Sequence, residues 1–204
     1  MQEEMPERAT AMPATPRRKR TDALQNRERL LEVAARAFAE EGLDAAPVSI
    51  AKQAGVGVGT LYRHFPTREA LIDAAYQHEL ARVCEQAVEL LGRHTAADAT
   101  RAWMEHFLDY ATAKRGMSDA LNAVIASGGD PYASSHTLLV NAVGALLEAG
   151  AQDGTLRTDI GNGEVLLAMS GIAQATGDYG TREQAARLVD LLMDALTKGA
   201  ATPT

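Results

Sequence analysis

Along the chain, apolar residues recur at three- and four-residue spacing and rarely alternate with polar ones, a pattern that predicts helix throughout. Over residues 22–41, Leu31, Ala34, Ala35 and Phe38 keep to one face of a first helix, and Gly42 stands where a C-terminal cap belongs. Pro47 suits the first turn of a second helix, because its missing N–H would be unpaired there anyway. Val48, Ile50, Ala51 and Ala54 supply that helix's buried face, and Gly55 ends it. A third helix needs only 58–65, with Leu61 and Phe65 inward, Tyr62, Arg63 and His64 pointing elsewhere, and Pro66 as its stop. Thr67 then looks like the N-cap of a fourth helix over 68–91, with Glu69 in its first turn. Beyond Gly92 the pattern predicts helices at 98–114, 118–126, 131–151, 163–176 and 181–198, separated by glycine-bearing breaks.

A chain of 204 residues rich in Ala, Leu and Val, with 4% aromatics, is expected to be all-α and long enough for a small domain joined to a larger one. The lone Cys84 excludes an intramolecular disulfide framework. No Cys-x-x-Cys or His-Glu-x-x-His spacing offers a metal site, so no metal and no cofactor is expected. Neither a signal-peptide core nor an apolar run long enough to span a bilayer is visible, so the expectation is a cytoplasmic protein with no membrane partner.

The net charge of −7 argues at first against a nucleic-acid partner, but it is unevenly spread. Residues 17–68 hold ten Lys or Arg against six Asp or Glu, whereas residues 71–204 hold nine against seventeen. An acidic body carrying a basic end suits a protein that presents one face to phosphate. Residues 1–22, with Pro6, Pro13 and Pro16 and no apolar periodicity, read as a disordered arm. Its run Arg17-Arg18-Lys19-Arg20 is either a solvated tail or a strand of contacts along a DNA backbone or minor groove.

The segment from Ile50 to Phe65 meets the steric requirements of a helix-turn-helix. Ala51 is small where the second helix crosses behind the third, Gly55 permits a positive φ in the turn, and Val56 and Leu61 wedge the helices at a fixed angle. The Gly55-x-Gly57-x-Gly59 spacing is not a nucleotide-binding loop, since no strand precedes it and no Lys follows it as such a loop requires.

The wider string Gly42, Ile50-Ala51, Ala54-Gly55-Val56 and Gly59-Thr60-Leu61-Tyr62-Arg63-His64-Phe65-Pro66-Thr67-Arg68-Glu69-Ala70-Leu71 resembles the tetracycline-repressor (TetR) family over about residues 27–72. The resemblance implies a disordered arm at 1–22, a three-helix DNA-binding domain at 23–70 and a larger helical effector-binding and dimerisation domain at 71–204. Thr60, Tyr62 and His64 would then bond phosphates or base edges, and Arg63 a guanine edge or a phosphate. Lys52 and Arg68 would meet backbone phosphates, and Gly57 and Gly59 would let the helix start lie close to DNA. Tyr62 has the alternative of a buried ring, and Lys52 of plain solvated surface. Three positions depart from the family's habit: Gly57 replaces a Ser or Thr that caps the recognition helix, Ser49 an acidic residue and Arg68 a Lys.

In the larger half, Trp103, Phe107 and Tyr110 share a helix face, and Met117, Leu121, His136 and Asn141 follow on the next two helices. This mix suits either an apolar pocket with orienting polar groups or ordinary core. The family pattern places a small-molecule effector here and pairs the last two helices with their copies in a homodimer. Ala168, Gly171, Ile172 and Ala175 on one helix and Val189, Leu192, Met193 and Leu196 on the next offer surfaces that interlock. Cys84 is either inert packing or a thiol sensor.

The expected function is therefore a sequence-specific transcription regulator, a repressor released from palindromic operator DNA by its effector. One rival is the same fold acting as an activator or answering to a protein. Another is a small helical ligand-binding protein or enzyme with an incidental helix-turn-helix-like corner. Against an enzyme, no nucleophile-base pair or paired carboxylates can be placed in the sequence.

Overall fold

The structure, a computed structural model, describes residues 16–197, with side chains in 24–177 and 180–197. Among the described residues it consists of nine α-helices: α1 (Pro16–Glu41), α2 (Pro47–Gln53), α3 (Val58–His64), α4 (Arg68–Leu91), α5 (Ala96–Gly116), α6 (Ser118–Ala126), α7 (Ser135–Gln152), α8 (Asn162–Tyr179) and α9 (Arg182–Thr197). A 3₁₀ turn, Gly42–Asp44, follows α1.

Two expectations change. The backbone of Arg17, Arg18, Lys19 and Arg20 belongs to the opening turns of α1 and not to a disordered arm. Pro16 is pre-set for a first helical position and Arg and Lys are good helix formers, so the missing apolar stripe does not prevent helix there. The side chains of this run, and residues 1–15, lie outside the described residues. The helix expected from 131 begins instead at Ser135. Asp130 accepts a hydrogen bond from the Tyr132 backbone N–H (3.1 Å) and a turn closes from the Ser135 N–H to the Tyr132 carbonyl (3.1 Å), so local side-chain bonding displaces the helix start.

Polar side chains cap the starts of α4, α5 and α9. Thr67 Oγ1 accepts from the Ala70 N–H (3.1 Å) at the head of α4, and Thr95 Oγ1 from the Asp98 N–H (3.2 Å) at the head of α5. Thr181 and Gln184 exchange bonds in both directions before α9, at 3.2 and 2.8 Å, which satisfies two N–H groups that the helix itself leaves unpaired.

Helix α4 is the centre of the molecule. It packs against α1 on the N-terminal side and against α5, α6 and α7 in the body, and Leu71, Ile72, Ala75, Tyr76, Leu80, Val83 and Ala87 along it are buried. One apolar cluster runs without interruption from Leu30 to Leu196, and a division of the chain at residue 70 falls inside the first turn of α4. Side chains of this size contribute about 1.5–3 kcal/mol each on full burial. The exposed ion pairs between α5 and α9, Arg101 with Asp190 and Arg182 with Asp109, are worth about 0–1 kcal/mol each, so they set the register of α9 while burial holds it.

Where α1 meets α5 the backbones touch. A Cβ on Gly116 would overlap the Ala39 carbonyl of α1, so only glycine lets the end of α5 lie this close to the DNA-proximal helices. Gly116→Ala should therefore lower the urea midpoint by the equivalent of about 1–3 kcal/mol with an unchanged m-value. An unaltered midpoint would mean that the two helices separate without cost.

Candidate functional site

The corner between α2 and α3 has the geometry of a helix-turn-helix. Gly55 sits at φ 69°, a left-handed conformation that a side chain disfavours. The Val56 N–H reaches back to the Ala51 carbonyl (2.9 Å) and closes the turn. Ala51, Ala54 and Leu61 are fully buried and Val56 partly so, which sets the angle between the helices. Arg29 of α1, not singled out in the sequence, braces this corner: its Nε donates to the Ala54 carbonyl (2.8 Å), and its other end is held by Asn26 (2.8 Å). It lies on the polar face of α1, where hydrophobic periodicity carries no signal.

Helix α3 turns Leu61 inward, with Phe65 buried just past its end, and turns Tyr62, Arg63 and His64 to solvent. Tyr62 is 46% exposed, so its ring is not part of the core. Lys52, Gly57 and Gly59 are exposed and Thr60 is half-buried. At the helix start Gly57 supplies no side-chain cap, and a Cβ on Gly59 would meet open space.

Arg68 is placed differently from the sequence expectation. Its guanidinium donates to the carbonyls of Leu43 and Ala45 (2.8 Å for the latter) and lies over the Phe38 ring at 5.9 Å. It ties the turn after α1 to the head of α4 and is not presented to a phosphate. The sequence could not show this, because the two carbonyls it satisfies are 23 and 25 residues away.

Of the seven residues expected to line an effector pocket, Phe107 and Tyr110 border a cavity. Its volume is about 290 Å³, Lys114, Arg115, Tyr132 and Leu139 border it too, and Ser118 and Gln174 also reach it. Trp103, Met117 and Leu121 are core: Trp103 is fully buried and its indole N–H donates to the Val83 carbonyl of α4 (2.7 Å). His136 and Asn141 are exposed on α7, and Asn141 borders a separate groove with Glu148 and Arg157. They occupy another face of α7 from Leu139, so they do not converge with Phe107.

Tyr110 links the cavity to the central helix. Its hydroxyl hydrogen-bonds Tyr76 of α4 (2.9 Å), which in turn bonds Ser135 of α7 (2.9 Å). Burial, with Tyr76 alongside, pushes the Tyr110 phenol above its ordinary pKa, so it stays protonated and keeps its donor. Gln77 of α4 adds a bond to the Pro131 carbonyl (2.9 Å). Burial likewise pushes the Cys84 thiol up to about 11, with Glu85 adding to it, which removes the thiolate that oxidation requires and favours inert packing.

The last two helices also correct the sequence expectation. Val189, Met193 and Leu196 are buried in this chain's own core, and Ala168, Ile172 and Leu192 are half-buried. The apolar row left open is Leu167 (73% exposed), Leu188 and Leu191 (67% exposed), with Gly171 and Ala175 between. A groove bordered by Ala175, Leu188 and Leu191 runs along it. α9 carries two apolar rows, and periodicity alone does not say which one packs inward.

Comparison with known proteins agrees with this layout. The family profile described as "Bacterial regulatory proteins, tetR family" matches residues 30–75, and the one described as "Transcriptional regulator SbtR-like, C-terminal domain" matches residues 95–198. A solved TetR transcriptional regulator from Streptomyces coelicolor is 52% identical over 84% of this chain and 98% of its own, with a TM-score of 0.80. A TetR transcription regulatory protein from Mycobacterium vanbaalenii is 32% identical over 88% and 99% of the two chains, with a TM-score of 0.72. A curated HTH-type transcriptional regulator of Staphylococcus aureus is 44% identical over 62 residues, 30% of this chain; the match spans about a third of the relative's length (34%).

Arg68 and the solvent-facing cations should separate in a stability measurement. Arg68→Ala should lower the unfolding midpoint by the equivalent of about 1–2 kcal/mol, because the part-buried bond to the Ala45 carbonyl and the contact with Phe38 are lost. Lys52→Ala and Arg63→Ala should stay within about 0.5 kcal/mol of the parent. Equal midpoints for all three variants would return Arg68 to the set of free phosphate contacts.

Proposed function

The chain belongs to the TetR family of transcriptional regulators, and from that premise we propose that it acts in the cytoplasm as a homodimeric repressor, released from a palindromic operator by a small-molecule effector. The observation that carries the DNA-binding part is α3, which puts Tyr62, Arg63 and His64 side by side in solvent on a buried Leu61 and Phe65 base. A short rigid helix with a polar outer face fits a major groove, and Arg and His at its end match base-edge acceptors. Thr60 and Lys52 flank it as phosphate contacts, and Gly57 and Gly59 allow close approach. The run Arg17-Arg18-Lys19-Arg20 on the first turns of α1 adds attraction that is independent of sequence. Arg68 has no part in this set. The reading as an enzyme or carrier with an incidental helical corner is set aside, since the profile matches cover both the corner and the body.

Residues 23–70 form the DNA-binding part and 71–204 the body in this reading, with α4 shared between them. One recognition helix makes few base contacts, so two must act together. The open row Leu167, Leu188 and Leu191, with Gly171 and Ala175, supplies a self-complementary four-helix interface for that purpose. The effector enters the cavity beside Phe107 and Tyr110. A ligand that fits only one spacing of the recognition helices shifts the population through Tyr110, Tyr76 and α4.

Selection from a pool of random duplexes should enrich a palindrome. Arg63→Ala should cost about 1–3 kcal/mol and relax one position of the site, whereas Lys52→Ala should weaken all sequences alike and reduce the salt slope by about one. Failure to enrich any sequence would leave only salt-dependent attraction and remove the regulator reading. In sedimentation, Leu191→Glu should convert the dimer to a folded monomer, since it places a charge in the interface and none in the core. A dimer that survives this change would have to use another face.

A further inference from the structure

We propose that the effector of the α5–α8 cavity is a small carboxylate with a flat apolar body, and that the Lys114 ammonium is its counter-ion. The inference rests on the body being the effector-binding part and adds the chemical class of the effector.

The body is strongly acidic, and five of its arginines are spent on carboxylates: Arg82, Arg101, Arg157, Arg182 and Arg187 each form an ion pair. Arg93, exposed to solvent, forms no ion pair among the described residues, and neither do Lys114 and Arg115. Lys114 and Arg115 both border the cavity, and no Asp or Glu lines it among the described residues. In a chain with this excess of acid, two adjacent cations facing a cavity without a carboxylate leave room for an anion from outside.

The two cations have different freedom. Arg115 is anchored: its guanidinium donates to the Ala173 carbonyl of α8, and Gly177 lacks the Cβ that would overlap it. Lys114 carries only a cation–π contact, its Nζ 4.5 Å from the centre of the Tyr132 ring. A ring quadrupole offsets part of the lost hydration but supplies no charge. Burial accordingly holds the Lys114 ammonium below its usual pKa, and a carboxylate beside it reverses that penalty.

The walls define the rest of the ligand. Phe107, Tyr110 and Tyr132 present aromatic surface, Leu139 and Ala173 add apolar surface, and Ser118 also borders the cavity. A volume of about 290 Å³ lies at the small end of ligand sites, which suits a one-ring acid. The Tyr110 hydroxyl on this wall is the one bonded to Tyr76, so an anion drawn to Lys114 sits against the contact that reaches α4.

The test is calorimetric titration of the full chain with benzoate, phenylacetate and cinnamate, each beside its neutral amide. At least one acid should bind about tenfold or more tighter than its amide, the scale expected for a desolvated charge pair. Lys114→Met should erase the preference and Lys114→Arg should keep it, both with the parent's circular dichroism and unfolding midpoint. The proposal is overturned if no acid is preferred over its amide, or if the preference survives Lys114→Met. Duplex selection separates this from the broader reading. A chain that selects its palindrome but shows no preference for acids loses only the ligand class, whereas one that selects no sequence loses the regulator assignment whatever the cavity binds.

Discussion

Burial of α4 from both sides is the constraint on which the other features depend. Tyr76, Leu80 and Val83 are covered by the body, while Leu71, Ile72 and Ala75 sit toward the helices that carry the DNA-binding corner, and every one of these six is out of contact with water. Because one apolar cluster continues through this helix, neither part can tilt without repacking the other. The glycine contact between Gly116 and Ala39 and the clasp of Arg68 on the Leu43 and Ala45 carbonyls hold the same junction from its flanks. A change of shape at the cavity has a short path to α3: Tyr110 to Tyr76 by one hydrogen bond, then along a rigid helix.

The distribution of charge follows the same division. Five arginines of the body are paired locally with its carboxylates, whereas Arg63 and Lys52 at the other end stand in solvent. A net negative protein therefore keeps a basic end for nucleic acid, and the acidic body disfavours contact by any other surface. Lys114 departs from this pairing inside the body, at a cavity that Phe107, Tyr110 and Tyr132 also border.

Some of the polar groups have structural work that resembles binding chemistry when read as a list of residue types. Trp103 looks suited to a ligand, yet its N–H is consumed by the Val83 carbonyl, and Arg68 looks suited to a phosphate, yet it is consumed by two carbonyls. A buried donor must find an acceptor. The acceptor found in each case is a backbone group of a neighbouring segment.

The sequence by itself determined the helices and the DNA-binding corner. Gly55 at the turn, Pro47 and Thr67 at helix starts, and the spacing of Leu61 and Phe65 are local signals, so α2, α3 and α4 and the outward set of Tyr62, Arg63 and His64 were legible without coordinates. What the tertiary structure decided is which face of each later helix turns inward. α9 has two apolar rows and α5 is apolar over much of its surface, and period alone ranks neither. The core took Val189, Met193 and Leu196 and left Leu188 and Leu191 outside, and it took Trp103, Met117, Phe107 and Tyr110, the last two of which also border a cavity with Lys114. Those outcomes rest on contacts between residues far apart in the chain, and no local pattern encodes them.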